Sequence, residues 1–96
     1  MTDKNVIKQN LITCKPFLQQ NFHVKRIGFF GSYARGQQTD NSDVDVLVEF
    51  SRPVGLQFIA LKEYLEQQFG KPVDLVTPNA LKPQLKQQIL ADIVYT

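Results

Sequence analysis

The chain has 96 residues, 43% of them apolar, and its eleven basic and nine acidic side chains leave a net charge of +2. That length suits one small domain, 1–96, around one core, and the apolar content excludes wholesale disorder. The charge is too balanced for a nucleic-acid binder, which usually shows a basic stripe; Lys25-Arg26 and Lys82/Lys86 read as local, solvated pairs.

Residues from about Asp3 to Gln20 carry apolar positions at helical spacing, with Thr2 or Asp3 as the N-cap. Pro16 is expected to kink or restart this helix, because its ring removes a backbone donor. The single cysteine, Cys14, excludes an intramolecular disulfide and lies on the apolar stripe Ile7, Leu11, Cys14, Leu18, which marks it as a buried helix residue. The polar N-terminus has no signal-peptide core, and no apolar run approaches bilayer length, so the expectation is a soluble, cytoplasmic protein without membrane contact. His23, the only histidine, reads as surface.

Val24 to Phe30 is β-branched and aromatic, stops at Gly31 and reads as a strand. A helical turn near Tyr33 to Arg35 follows, closed by Gly36, and then a polar loop from Gln37 to Ser42. Asp43 to Phe50 is the clearest strand. Its Val44, Val46 and Val48 share one face, and Asp43, Asp45 and Leu47 share the other. Pro53 and Gly55 break the chain before a helix from about Leu56 to Phe69, with Gly70 as its C-cap. Pro72 to Val76 is a third strand. Thr77-Pro78 has the form of an N-cap followed by proline, and Pro83 repeats the signal for a last helix ending near Asp92. Ile93 to Tyr95 either adds a strand or packs. The fold class is α/β, a small mixed sheet flanked by helices.

Three features fall where a single active site would need them. Gly31-Ser32 follows a strand and precedes a helical turn, so backbone donors there face any arriving anion, and Gly31 has no Cβ to obstruct a phosphate. Asp43 and Asp45, two residues apart on a strand, point to one face and can share hard cations. Asp74, flanked by apolar strand formers, would add a third carboxylate if its strand lies beside the second.

Gly31-Ser32, ten intervening residues and Asp43-Val44-Asp45 resemble the G-S-x10-D-x-D signature of the DNA polymerase β-like nucleotidyltransferases. At roughly 6% frequency per letter, those four positions coincide by chance on the order of once in a thousand such chains, so the match carries weight. The run GSYARGQQTDNSDVDVLVEF is similar to the minimal nucleotidyltransferase branch, and the likeness extends from about Val24 to Val76. It implies the DNA polymerase β-like fold, and a role for each matched residue. Gly31 and Ser32 would hold the triphosphate of ATP, with Arg35 neutralising phosphate charge. Asp43, Asp45 and Asp74 would bind two magnesium ions, and Asp74 would help activate the acceptor hydroxyl, for an in-line displacement at the α-phosphorus.

Larger members of that family carry a helical domain for base and acceptor, and this chain has no residues to spare for one. The minimal branch is commonly paired with a small helical HEPN toxin, for which the nucleotidyltransferase acts as antitoxin, AMP transfer to a toxin tyrosine being one way it neutralises it; the resemblance implies that role here. An alternative of another class stays open at this point: a binding-only antitoxin that masks its partner without catalysis.

Overall fold

The computed structural model describes residues 3–96. Helix α1 spans Lys4–Phe22 and is followed by strand β1, Val24–Phe30. Asp3 caps α1, its carboxylate accepting from the Val6 N–H at 3.0 Å; Thr2, the other candidate, lies outside the described residues. Pro16 does not break α1. Its missing donor would have served the Ile12 carbonyl, and both residues are on the exposed side, where water can take that bond. His23 ends α1 in the left-handed conformation at φ 57°, its N–H donating to Leu18 O.

The short helix α2, Ser32–Arg35, leads through a loop to strand β2, Val44–Phe50. Helix α3, Gln57–Phe69, strand β3, Val73–Val76, a 3-10 turn at Pro78–Ala80, helix α4, Pro83–Asp92, and strand β4, Val94–Tyr95, complete the chain. Several boundaries shift by a residue or two (α1 runs on to Phe22, α2 starts at Ser32, α3 at Gln57 and β3 at Val73), and two further differences bear on the site and its surroundings. Asp43 stands one residue before β2 rather than on it, and Pro78 opens a 3-10 turn that Thr77 does not cap with its side chain.

The sheet order is β3-β2-β1-β4, with β2 and β3 parallel and the other neighbours antiparallel, so the sheet is mixed as expected. One face carries Ile27 and Phe29 of β1, Val44, Val46 and Val48 of β2, and Val73 and Leu75 of β3, all buried. Against it pack the stripes Ile7, Leu11, Cys14, Leu18 of α1 and Leu61, Leu65, Phe69 of α3. Burying each such aliphatic or aromatic side chain is worth about 1.5–3 kcal/mol, and this layer is where the fold is held.

The opposite face carries Arg26, Gly28 and Phe30 of β1, Asp45, Leu47 and Glu49 of β2, and Asp74 and Val76 of β3. Helix α4 and the 3-10 turn cover only its middle. Leu47 is buried there beside Pro78, Leu81 and Ile89, and Ile89 is the one buried residue of α4. Gly28 admits β4: a Cβ at that position would lie 2.7 Å from the Val94 carbonyl oxygen. The acid-bearing end of this face is left uncovered.

Candidate active site

Each acidic residue is brought to the open end of the sheet by a different local cause. The loop before β2 is tied by its own side chains: Thr39 N–H donates to Ser42 Oγ at 2.9 Å, and Asn41 N–H to Thr39 Oγ1 at 3.3 Å. Lys71 Nζ donates to the Asp40 carbonyl at 3.1 Å and ties that loop to the approach to β3. Val44 N–H then bonds Pro72 O at 2.9 Å and starts the parallel pairing. On the other side, the Glu66 carboxylate of α3 accepts from Val73 N–H at 3.0 Å.

With both strand starts pinned, the register places Asp45 directly beside Asp74. Neighbouring strands run about 4.8 Å apart, so two carboxylates rise from adjacent positions on one face. Asp43 stands two residues before Asp45. On the far side of β2, Phe30 pairs with Asp45, and Gly31 follows it immediately. The four residues of the sequence signature and Asp74 therefore meet at one edge of the open face.

The charges register one another. The Asp45 carboxyl is held above its ordinary 3.8, first by burial, then by the negative charges of Asp74 and Asp43; Arg35 alone acts in the opposite direction. Asp45 is half-buried, while Asp43 and Asp74 are exposed.

Gly31 does something that sequence reasoning did not anticipate. Its φ of 73° and ψ of −147° are essentially reserved for glycine, and a Cβ there would run into the Asp45 carboxylate. Its lack of a side chain thus first serves Asp45, and only then any phosphate. Arg35 N–H closes onto Gly31 O at 3.0 Å, so the donors of Ser32, Tyr33 and Ala34 precede the first helical bond of α2. The Ser32 hydroxyl has no hydrogen-bond partner among the described residues. Tyr33 and Ala34 are buried in the core and anchor the turn from below.

Do these residues suit a divalent cation? Among the described residues, no three acidic, histidine or cysteine side chains are gathered closely enough to hold an ion as they stand. The chemistry of the donor set nonetheless fits: Asp45, with the negative charges of Asp43 and Asp74 acting on it, belongs to a group of three carboxylates, the oxygen donors a hard cation prefers. The two exposed members can change rotamer to converge on it.

A larger cavity, of about 680 Å³, lies elsewhere. It is lined by Phe50, Arg52, Phe58, Pro78 and Asn79, at the opposite end of β2. Val48, its lining residue nearest the acids along β2, is three residues from Asp45, or about 10 Å along a strand. Among the described residues, that cavity holds no cluster of carboxylates; the acids and the glycine turn lie at the other end.

Other residues stand as expected or gain a partner. Cys14 is a buried helix residue, its thiol facing Gln68 Oε1 at 3.7 Å and the Tyr64 hydroxyl at 3.8 Å. Lys25, Lys82 and Lys86 are exposed, while Arg26 pairs with Glu49 at 3.7 Å and lies over the Tyr95 ring. No helix among the described residues is long and apolar enough to cross a membrane. The contact that sequence reasoning missed is Arg35 Nη1 to Asp92 Oδ2, at 2.9 Å across 57 residues. No local pattern announces such a pair.

Comparison with known proteins gives the family. Residues 11–96 match the family model described as a nucleotidyltransferase domain. The protein adenylyltransferase MntA of Thermococcus cleftensis is 44% identical over 90 residues, covering 93% of this chain and 91% of that protein. A solved protein described provisionally as a minimal nucleotidyltransferase superposes with a TM-score of 0.83 at 30% identity, over 97% of this chain and 95% of that one. A toxin–antitoxin crystal structure with AMP-PNP superposes with a TM-score of 0.69 at 26% identity, over 98% of this chain and 72% of that one. A complex of a tri-AMPylated Shewanella oneidensis HEPN toxin with its MNT antitoxin shares the fold, with a TM-score of 0.67 at 22% identity over 93% of this chain and 70% of that one. A glycine-serine turn and a pair of strand carboxylates on one open sheet edge, within a chain that matches the family model over residues 11–96 and aligns nearly end to end with the adenylyltransferase and the minimal nucleotidyltransferase, make this chain a member of the nucleotidyltransferase domain family, in its minimal branch.

Proposed function

We propose that this nucleotidyltransferase transfers AMP from ATP to a tyrosine hydroxyl of a helical HEPN-type toxin, and so acts as its antitoxin. The observation that carries the reading is the in-register pairing of Asp45 with Asp74 beside the Gly31-Ser32 turn. The names of its relatives point the same way: one is a protein adenylyltransferase, one a toxin–antitoxin pair holding an ATP analogue, one an antitoxin bound to an AMPylated HEPN toxin.

In this mechanism the Gly31-Ser32 turn receives the β- and γ-phosphates through backbone N–H groups and the Ser32 hydroxyl. Arg35 offsets phosphate charge. Asp43, Asp45 and Asp74 would hold magnesium, which supplies charge stabilisation for the attacking and leaving oxygens. Asp74, exposed and directly beside Asp45, takes the proton from the tyrosine hydroxyl. The phenolic oxygen then forms its bond to the α-phosphorus as the α–β bridging bond breaks, and pyrophosphate leaves. The partner supplies both the hydroxyl and the surface that excludes water, so positioning comes from the complex.

The test is mass spectrometry of the partner toxin after incubation with this protein, ATP and magnesium. One or more AMP additions on tyrosine, absent without magnesium or with Asp45→Asn, are expected. Full neutralisation of the toxin with no adduct would replace catalysis by masking through contact.

A further inference from the structure

Arg35 ends α2 at the edge of the acid cluster, and its side chain is held from two sides. Nη1 donates to Asp92 Oδ2 at 2.9 Å, and Nε donates to Gln37 Oε1 at 3.1 Å. Nη2 has no partner among the described residues. Asp92 is the last residue of α4 and reaches this place through the sheet. Strand β4 pairs Tyr95 with Gly28 and Val94 with Phe29. Ile93 alone separates the end of α4 from β4, so the pairing of Val94 with Phe29 holds Asp92 near the end of β1, where Arg35 follows.

The ion pair is half exposed, with side-chain accessibilities of 45% and 33%, and pairs of that kind contribute little to stability. Its consequence is orientation instead. An unanchored arginine spreads over many rotamers, whereas a planar guanidinium gripped at Nε and Nη1 presents its remaining edge in one direction. Its two holders also differ in origin. Gln37 is local to the turn, while Asp92 comes from the far end of the chain, so the grip forms only when β4 has docked on β1.

We propose that Asp92 is a positioning residue for the nucleotide, holding Arg35 beside the acid cluster with its Nη2 edge open to a triphosphate oxygen. This rests on the nucleotide reading of that site. It goes beyond it in naming a residue outside the G-S-x10-D-x-D signature and in fixing the sign of its effect. If Asp92 instead occupied the place a phosphate takes, its removal would tighten nucleotide binding.

The experiment uses the full chain as wild type, Asp92→Asn, Asp92→Glu, Arg35→Gln and the double variant Arg35→Gln/Asp92→Asn. Calorimetry with ATP and magnesium should show Asp92→Asn weakening binding by about tenfold, the scale of one charge-assisted hydrogen bond to phosphate. Asp92→Glu, which keeps a carboxylate, should recover part of that loss, and the double variant should bind no worse than Arg35→Gln alone. Without nucleotide, the Arg35 Nε–H NMR signal should be sharp in wild type and exchange-broadened in Asp92→Asn. Unchanged or tighter binding by Asp92→Asn, an additive loss in the double variant, or an unaltered Nε–H signal each overturns the proposal. A wild type that binds no ATP at all, despite a sharp Arg35 signal, ends the nucleotide reading and takes this proposal with it. Wild-type binding that Asp92→Asn matches ends this proposal alone.

Discussion

Asp45 is the residue on which the most forces converge. Burial and two neighbouring carboxylates raise its pKa, so the folded state holds its proton more tightly than the unfolded chain does. The sign follows from linkage: between the ordinary value of 3.8 and the raised one, the folded state binds more protons, so stability falls as pH rises through that window. Asp45→Asn removes the ionisation without changing the side chain's shape. Its metal-free melting temperature at neutral pH should hold or rise, and that acidic-range decline should flatten. Transfer should drop by about a hundredfold or more, because the charge stabilisation a metal supplies is worth several kcal/mol. Melting curves across pH, beside a transfer assay, check both halves. Gly31 gives the contrasting case. Gly31→Ala should destabilise the protein by about 1–3 kcal/mol even without nucleotide, since it forces a non-glycine residue to positive φ and drives a Cβ against the Asp45 carboxylate. Urea unfolding measures this directly. A stability equal to wild type would mean that the glycine serves only ligand access.

Among the elements, α1 shows how solvent exposure tolerates a broken rule. Proline inside a helix costs about 3 kcal/mol through a lost bond and a clash, yet α1 continues for 19 residues across Pro16. The proline and the carbonyl it orphans both face water, while Leu11, Cys14 and Leu18 keep the core side intact. Pro16→Ala should stabilise the protein by about 1–3 kcal/mol, the helical gain being partly offset by greater freedom of the unfolded chain. Denaturant unfolding is the measurement, and a loss of stability would mean that the proline shapes the packing of α1. Strand β3 makes the opposite point. Only four residues long and at the sheet edge, it holds its place through Glu66 of α3 and the Pro72 carbonyl, and these set the register that puts Asp74 beside Asp45.

The whole molecule divides its labour between the two faces of the sheet. One is sealed by α1 and α3 and carries the stability; the other is half covered by α4 and leaves the acid end open. A net charge of +2 conceals this arrangement, because three of the nine acidic residues are concentrated at that end. An open end suits an acceptor that arrives on another molecule. Asp74→Asn, altering the exposed carboxylate assigned to the acceptor's proton, should keep much of the ATP affinity and lose transfer, whereas loss of Asp43 or Asp45 should weaken both. Calorimetry paired with mass spectrometry of the partner separates the cases. Equal transfer by Asp74→Asn would remove Asp74 from the role of base.

By itself, the sequence determined the local matters. The apolar stripes of α1 and α3, the alternation of Val44, Val46 and Val48 against Asp45 and Leu47, and the glycine-serine turn before the paired acids are all set by interactions a few residues long. Helical and strand periodicity and turn chemistry act over such distances, and they therefore leave their mark on the chain. What only the tertiary structure decided is adjacency. The parallel pairing of β2 with β3 made Asp74 a neighbour of Asp45, and pairing with β1 made Val94 and Tyr95 a strand and carried Asp92 to Arg35. The meeting of Gly31 with the Asp45 carboxylate arose from the β1–β2 register. Those contacts join residues 14 to 67 positions apart, and no short-range pattern records them, because it is the shared core under the sheet that brings such distant segments together.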